Sequence, residues 1–589
     1  MDGLEHSLSL FARHGTFLLL VLPVIGSLLV ALSAPWGREI VLRTALTNVV
    51  FAIAVAVLML VRFEPSPGTE TEVAGGLPRF QMASSSRLEA VADAAPPSPS
   101  LLRIDVGVDG ISLWFVVLMP LVALAAVVHA RHERQLAALL ALLLLLQASL
   151  TGLFAALNVV MFAVCLEVSG LLLFLLIGRW GGPEHRREAA PLALFQLAGS
   201  LLVLFGLLTA VVAHYWLTVQ SADTGLTFSL VTLAAELPLI VRESTPEAVA
   251  RAWESAERMI FWTLLPGFAI KSAVFPFHRG FCSPGPAWPA CAGVFAWGVF
   301  PCVGVYGFLR IVDPVCEQTL VAWAPSLAFL LLLGSLNCGL LALSQSELKR
   351  TVAYASVAHA GLAFAAAVSH TAAGVAGAVF HLIGHVAGFS LLAAVVAAIE
   401  RRYETLEIRA FGGLGSRLPW IAAAFFVAAL SLCGLPGLSG FPAVWQTAVG
   451  LLGIGAAEQP SLVDAALSLL VAGLLAWTFL STGQRIFWGT RREPLQDFSL
   501  LLPRSAKFIS HDQPGQEIRD WGPPERIASL LLTAVLLAAG VAPQFVADRV
   551  AWPTPPASAR KLAASARTVP TLPEVRVSSQ AAHREGRPL

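Results

Sequence analysis

Val159 to Gly178 reads VVMFAVCLEVSGLLLFLLIG, with Glu167 its one charged residue. As a helix rising about 1.5 Å per residue, such a run crosses the ~30 Å hydrocarbon core of a bilayer. Apolar and polar positions do not alternate in it, so it does not read as a strand of a membrane barrel. Outward from it, further apolar runs lie near 15–34, 44–62, 110–129, 137–154, 190–213, 260–278, 289–312, 319–342, 350–370, 373–399, 419–451, 462–483 and 526–548. With 157–178 these make about fourteen spans and predict an all-α polytopic membrane protein. Composition agrees. Of 589 residues, 57% are hydrophobic and 13% charged, and the mean hydropathy is +0.75. Soluble domains carry roughly 25% charged residues, so polar side chains are too few here to coat water-facing surfaces.

The chain divides accordingly. Residues 1–62 hold spans one and two, 104–318 spans three to eight, 319–483 spans nine to thirteen, and 526–548 the fourteenth. The 63–103 stretch, with PSPGTETEVAGG and APPSPS, reads as a flexible extramembrane loop. Residues 484–525 are a mixed-charge loop, and the Pro/Ala/Arg-rich 549–589 is expected to be a disordered tail. PEAVARAWESAER, 246–258, reads as a short surface helix ahead of the seventh span. Basic residues cluster in the loops after odd-numbered spans: Arg38 and Arg43; Arg131 and Arg134; Arg179, Arg186 and Arg187; Arg279; Lys349 and Arg350; Arg401, Arg402, Arg409 and Arg417. The short loops on the other side hold none, Arg310 at the end of span eight being ambiguous. That asymmetry predicts a cell-membrane protein (bacterial inner membrane or equivalent) with both termini outside the cytoplasm and 484–525 inside.

Several chemistries lack equipment. The seven cysteines are scattered and form no CxxC, which argues against clusters, zinc and disulfides. Neither a GxGxxG following a strand nor a P-loop occurs. No long basic run invites nucleic acid, and the net charge is +1. The expectation is a chain without cofactor, metal or catalytic site, whose partners are lipid and other proteins.

A charge at the bilayer centre costs at least ~2.5–3.5 kcal/mol, so the few polar groups at mid-span need a reason. Glu167 lies in span five, Lys271 in span seven (LLPGFAIKSAVFPFH), His359 in span ten, and His381 and His385 in span eleven. Glu167 and Lys271 can pair if their helices touch, either as a proton site or as a fixed salt bridge. His381 and His385, spaced i, i+4 in HLIGH, share a helix face. The pair lacks the glutamate of a zinc protease motif and reads as a hydrated proton relay, with metal binding and plain interhelical hydrogen bonding as alternatives. Two spans look broken: the seventh at Pro266-Gly267 and the twelfth at CGLPGLSGFP, with Gly434, Pro436 and Gly437. Interrupted helices in both halves of a transporter point to an ion pathway; kinks for helix packing are the alternative.

IDVGVDGISLWFVVL, CLEVSGLLLFLLIGRWGG, FAIKSAVFPFH, VGVYGFLR, SQSELKRTVAYASVAHAGL and GLPGLSGF together resemble the antiporter-like membrane subunits of proton-pumping NADH–quinone oxidoreductase, respiratory complex I. The wider family includes multi-subunit cation/proton antiporters and membrane-bound hydrogenases. The resemblance runs from about 104 to 548. HVAGFSLLAAVVAAIERRYETLEIRAFGGLGSRLP is most similar to the subunit M branch. It implies two inverted five-helix repeats, spans 4–8 and 9–13, each with a half-channel. It also implies that Glu167 and Lys271 are the paired carboxylate and lysine of the first half, and that His359 and His385 belong to the central axis and second half. Two positions depart. Cys302 stands in CVGVYG where members carry a lysine, and Val444 in FPAVWQ where subunit M carries a glutamate. The loop that usually holds Pro-Asp-Ala-His is Cys282-Ser283-Pro284-Gly285. The function implied is a non-redox membrane subunit contributing to proton translocation coupled to quinone reduction, through a channel short of two protonatable positions. A purely structural paralogue, and a subunit of a cation/proton antiporter or inorganic-carbon uptake module, stay open as alternatives.

Overall fold

The computed structural model describes residues 2–64, 80–87, 103–181, 186–218, 226–240, 247–282, 289–403, 405–454, 461–493 and 518–550. Residues 1–552 form one unit. The expected tail and most of the 63–103 and 484–525 loops fall outside the described residues.

The helices in chain order are α1 (Asp2–Leu32), α2 (Arg38–Arg62), α3 (Ser112–Ala130), α4 (Leu136–Ala155), α5 (Val159–Trp180), α6 (Arg186–Thr218), α7 (Leu230–Ile240), α8 (Glu247–Lys271), α9 (Arg279–Cys282), α10 (Ala290–Gly298), α11 (Phe300–Gly307), α12 (Asp313–Val315), α13 (Glu317–Ser344), α14 (Leu348–Val368), α15 (Ala372–Tyr403), α16 (Pro419–Leu432), α17 (Gly440–Leu452), α18 (Leu462–Phe487), α19 (Pro523–Val541) and α20 (Pro543–Ala547). Among the described residues, 12 helical segments are long and apolar enough to cross a membrane. The expectation was about fourteen. The two that do not qualify are those expected to be broken: α8 opens with charged residues, and the twelfth span is split into α16 and α17.

Three readings need correction. Pro266 and Gly267 do not interrupt their helix, because α8 runs through both to Lys271 and the chain turns only at 272–278. Gly267 instead lets α8 approach α6, where an added methyl would meet Val203 and the Gly199 carbonyl. The surface helix expected at 246–258 is the first half of α8, since no breaker separates it from the span. The 63–103 loop contributes a strand, β1 (Gln81–Arg87), paired antiparallel with β2 (Arg103–Val108) in the register Ser84–Val106 and Arg87–Arg103. The β-branched Ile104, Val106 and Val108 of β2 suit a paired ribbon, and Val106 also bridges Ala156 just after α4.

Charges gather at the two ends of the bundle. At one end Arg131 pairs with Glu525 at 2.6 Å, Lys349 with Glu400 at 2.5 Å and Arg417 with Glu493 at 2.7 Å. Arg38 donates to the Arg131 and Glu133 carbonyls there. At the other end Arg310 pairs with Asp109 at 2.6 Å, His370 with Asp313 at 2.7 Å, and Glu257 accepts from the Thr319 amide at 2.8 Å. Between these ends α10–α12 and α15 are buried along their whole apolar windows. Gly and Ala in α15 (AAGVAGAVFHLIGHVAGFSLLAAVVAA) allow neighbours to approach closely.

Candidate proton-path residues

His381 and His385 share a face of α15, and His359 projects from the adjacent α14. All three are fully buried. Their rings form a chain: His381 Nδ1 lies 3.3 Å from His359 Nε2, and His359 Nδ1 lies 3.2 Å from His385 Nδ1. His385 Nε2 is 3.0 Å from the Trp297 carbonyl and 3.2 Å from Ser356 Oγ. Ser356 in turn donates to the same carbonyl at 2.9 Å. That carbonyl is available because the residue four positions on is Pro301, which has no N–H to complete the helix. The Phe389 ring packs on His385 at 4.5 Å. At the other end of the chain, His381 Nε2 has no protein partner among the described residues. Imidazole suits such a chain because one ring nitrogen accepts a proton while the other releases one.

Lys271 ends α8 and is buried. Gly304 of α11 fits against the Phe268 carbonyl and Ser272 there. On the α6 side Gly199 meets Ile270. Gln196 Oε1 and Ser200 Oγ, on that same α6 face, are buried without a partner among the described residues, as is Ser272 Oγ. The α10–α11 segment thus links two polar zones, meeting the histidines at Trp297 and the Lys271 region at Gly304. Cys302 lies between these points, fully buried, its thiol directed to the Gly298 carbonyl at 3.6 Å.

Glu167 and Lys271 do not meet. No hydrogen bond or ion pair joins them, and Glu167 lies on the exposed face of α5 with Val164, Val168 and Leu171. A direct bond does not form because the helical phase of α5 buries Leu166 and Ser169 and turns Glu167 outward.

Gly434, Pro436 and Gly437 lie in the 433–439 interruption between α16 and α17. Gly434 and Gly437 take the positive φ values, 79° and 89°, that glycine adopts readily. Val444 is half-buried and faces Gly434 rather than the histidines. The face of α17 turned to α15 carries Thr447 and Gly450. The loop segment 283–285 lies outside the described residues. No cluster of three or more His, Cys, Asp or Glu suited to a metal occurs among the described residues.

Residues 156–457, more than half of the chain, match the family model for NADH:quinone oxidoreductase/Mrp antiporter transmembrane proteins. The chain belongs to this family. It is 29% identical over 352 residues to NADH-quinone oxidoreductase subunit M of Rickettsia conorii, covering 59% of this chain and 67% of that one. It is 28% identical over 453 residues to subunit M of Rhodobacter capsulatus, covering 76% and 81%. Its fold resembles a chain of respiratory complex I from Thermus thermophilus with bound NADH, with a TM-score of 0.70, 25% identity, and coverage of 90% and 96%. The matched segment contains α5 to α17 and so Glu167, Lys271, His359, His381 and His385.

Sequence reasoning missed Ser356, the Trp297 carbonyl and Thr447. Pro301 four residues after Trp297 was the available signal for the carbonyl; nothing in the sequence announced the other two.

Proposed function

We propose that the chain is a membrane subunit of a complex I-like NADH–quinone oxidoreductase and that protons cross its interior through His359, His381 and His385. The observation that carries this is the three-ring chain buried where no solvent-exposed role is available. A buried, mutually bonded imidazole chain is built to pass protons, and its cost at mid-membrane calls for function. Lys271, with its orphaned neighbours Gln196, Ser200 and Ser272, supplies a second protonatable zone. In this reading the chain holds no cofactor and performs no redox step, and spans 4–8 and 9–13 are inverted repeats. Its basic end faces the cytoplasm of a bacterial-type cell membrane. Glu167, on an exposed apolar stripe, supports an assembly in which a neighbouring membrane subunit covers α5, since a carboxylate left against lipid is costly.

A second reading, a scaffold that has lost conduction, is favoured by Cys302 and Val444, neither of which stores a proton in a buried apolar place. The two are separated by measuring protons translocated per electron in the reconstituted native complex. His385→Ala lowers the ratio and Cys302→Ala leaves it unchanged if the chain conducts. A ratio untouched by His385→Ala, His359→Ala and Glu167→Gln alike establishes the scaffold. A ratio raised by Cys302→Lys combined with Val444→Glu identifies the missing stations as the limit on transport.

A further inference from the structure

One stripe of α15, Gly377, His381 and Gly384, packs on α17 in antiparallel register. Gly384 faces Ser439, a methyl added at Gly377 would lie 2.7 Å from Thr447 Oγ1, and Gly374 meets Gly450. His381 therefore stands on the seam between the Ser439 and Thr447 levels, its Nε2 without a partner. Thr447 Oγ1, one turn further along, is also buried and without a partner among the described residues. Beyond it Thr371 Oγ1 donates to the Gly450 carbonyl at 3.3 Å and lies 3.1 Å from Ser369 Oγ. The adjoining residue, His370, binds Asp313 Oδ1 at 2.7 Å through Nδ1, and its Nε2 lies 3.9 Å from Glu317. Asp313 is fully buried and its Oδ2 has no partner among the described residues. His370 is partly exposed. Three orphaned polar atoms thus follow one another from mid-membrane to the surface, along a helix whose Val444 departs from the family pattern.

Resting on the conducting reading above, we infer that the leg between the histidine chain and the bundle end bearing Asp313 follows the α15–α17 seam, through Thr447 and Thr371 to the His370–Asp313 pair. His381 takes a proton at Nδ1 and releases one from Nε2. Hydroxyl oxygens accept one proton and pass on their own, so no net charge stays on them. The Asp313 carboxylate receives the proton and His370 exchanges it with water; conduction in the opposite sense reverses each step. Burial pulls the His370 imidazole down, but the hydrogen bond and charge of Asp313, with Glu317, outweigh it and raise its proton affinity.

The test uses the complete complex in sealed vesicles. Thr447→Val and Asp313→Asn are expected to lose the same share of translocated protons per electron as His385→Ala, with Thr447→Ser and Asp313→Glu restoring it. Thr447→Cys is expected to react with a small membrane-impermeant thiosulfonate from the Asp313 end and not from the other, followed on its own peptide by mass spectrometry. If His385→Ala lowers the ratio while Thr447→Val and Asp313→Asn do not, the seam is not the route and the conducting reading stands. A Thr447→Cys thiol inert from both sides overturns the seam as well. If His385→Ala changes nothing, both fall together.

Discussion

Arg310 was the one basic residue that the loop asymmetry could not assign to a side. The structure explains its position. Its guanidinium pairs with Asp109 at 2.6 Å and lies 4.3 Å above the Phe80 ring. Asp109 is 1% exposed, and its other oxygen accepts the Ile111 and Ser112 amides, so one carboxylate caps α3 and holds the end of the α10–α11 segment. The two sequence stretches VDGIS and YGFLR, some two hundred residues apart, are thus one structural joint. Removing one member of a buried pair strands the other and costs about 3–5 kcal/mol. Arg310→Leu is accordingly expected to lower the melting temperature of the detergent-solubilised chain. Asp109→Asn combined with Arg310→Leu recovers part of the loss, since no charge is then stranded. Equal melting of wild type and Arg310→Leu refutes the joint. Glu167 shows the opposite limit of residue-level reading. Its place in an apolar helix was legible, its direction was not, because helical phase is decided by which neighbours α5 buries.

At the level of elements, glycine and proline foretold one interruption and misplaced the other. In the twelfth span the Gly434 and Gly437 backbones require positive φ, so α16 must end and α17 begin anew. At Gly440 α17 starts so close to α16 that an added methyl would overlap the Ser431 carbonyl. Overpacking a tight site costs about 1–3 kcal/mol. Gly440→Ala is therefore expected to destabilise by about 2 kcal/mol. Gly473→Ala in α18, where a methyl meets nothing within 4 Å, is expected to be neutral or to stabilise by up to about 1 kcal/mol. Thermal melts in detergent compare the two, and equal effects would show that the break tolerates a side chain. In α8 the same residue types leave the helix intact. Proline costs only one hydrogen bond there, and Gly267 is used for close contact with α6 rather than for backbone freedom. Composition names candidate breaks; only the neighbour that fills the gap decides whether the helix ends.

For the whole molecule, orientation is the prediction that charge alone supports. Arg409 is exposed, in the loop after α15 at the end that gathers Arg131, Lys349 and Arg417. A cysteine at Arg409 is expected to react with an impermeant maleimide from the cytoplasmic side of sealed vesicles. Reaction from the external side alone would invert the topology. The membrane class and the all-helical architecture were determined by the sequence itself. Hydrophobic run length answers to bilayer thickness, and isolated charges within such runs are too costly to be incidental. The family could be recognised for the same reason, from polar motifs set in apolar runs. What only the tertiary structure decided is which of these groups meet. Three histidines on two helices became one chain, with an end fixed by the carbonyl that Pro301 leaves open. Glu167 turned away from Lys271, and Thr447 came to stand beside the His381 stripe. These outcomes depend on the rotation and register of helices against one another, and that is settled by side-chain packing across long sequence separations, for which the linear order of residues carries no local signal.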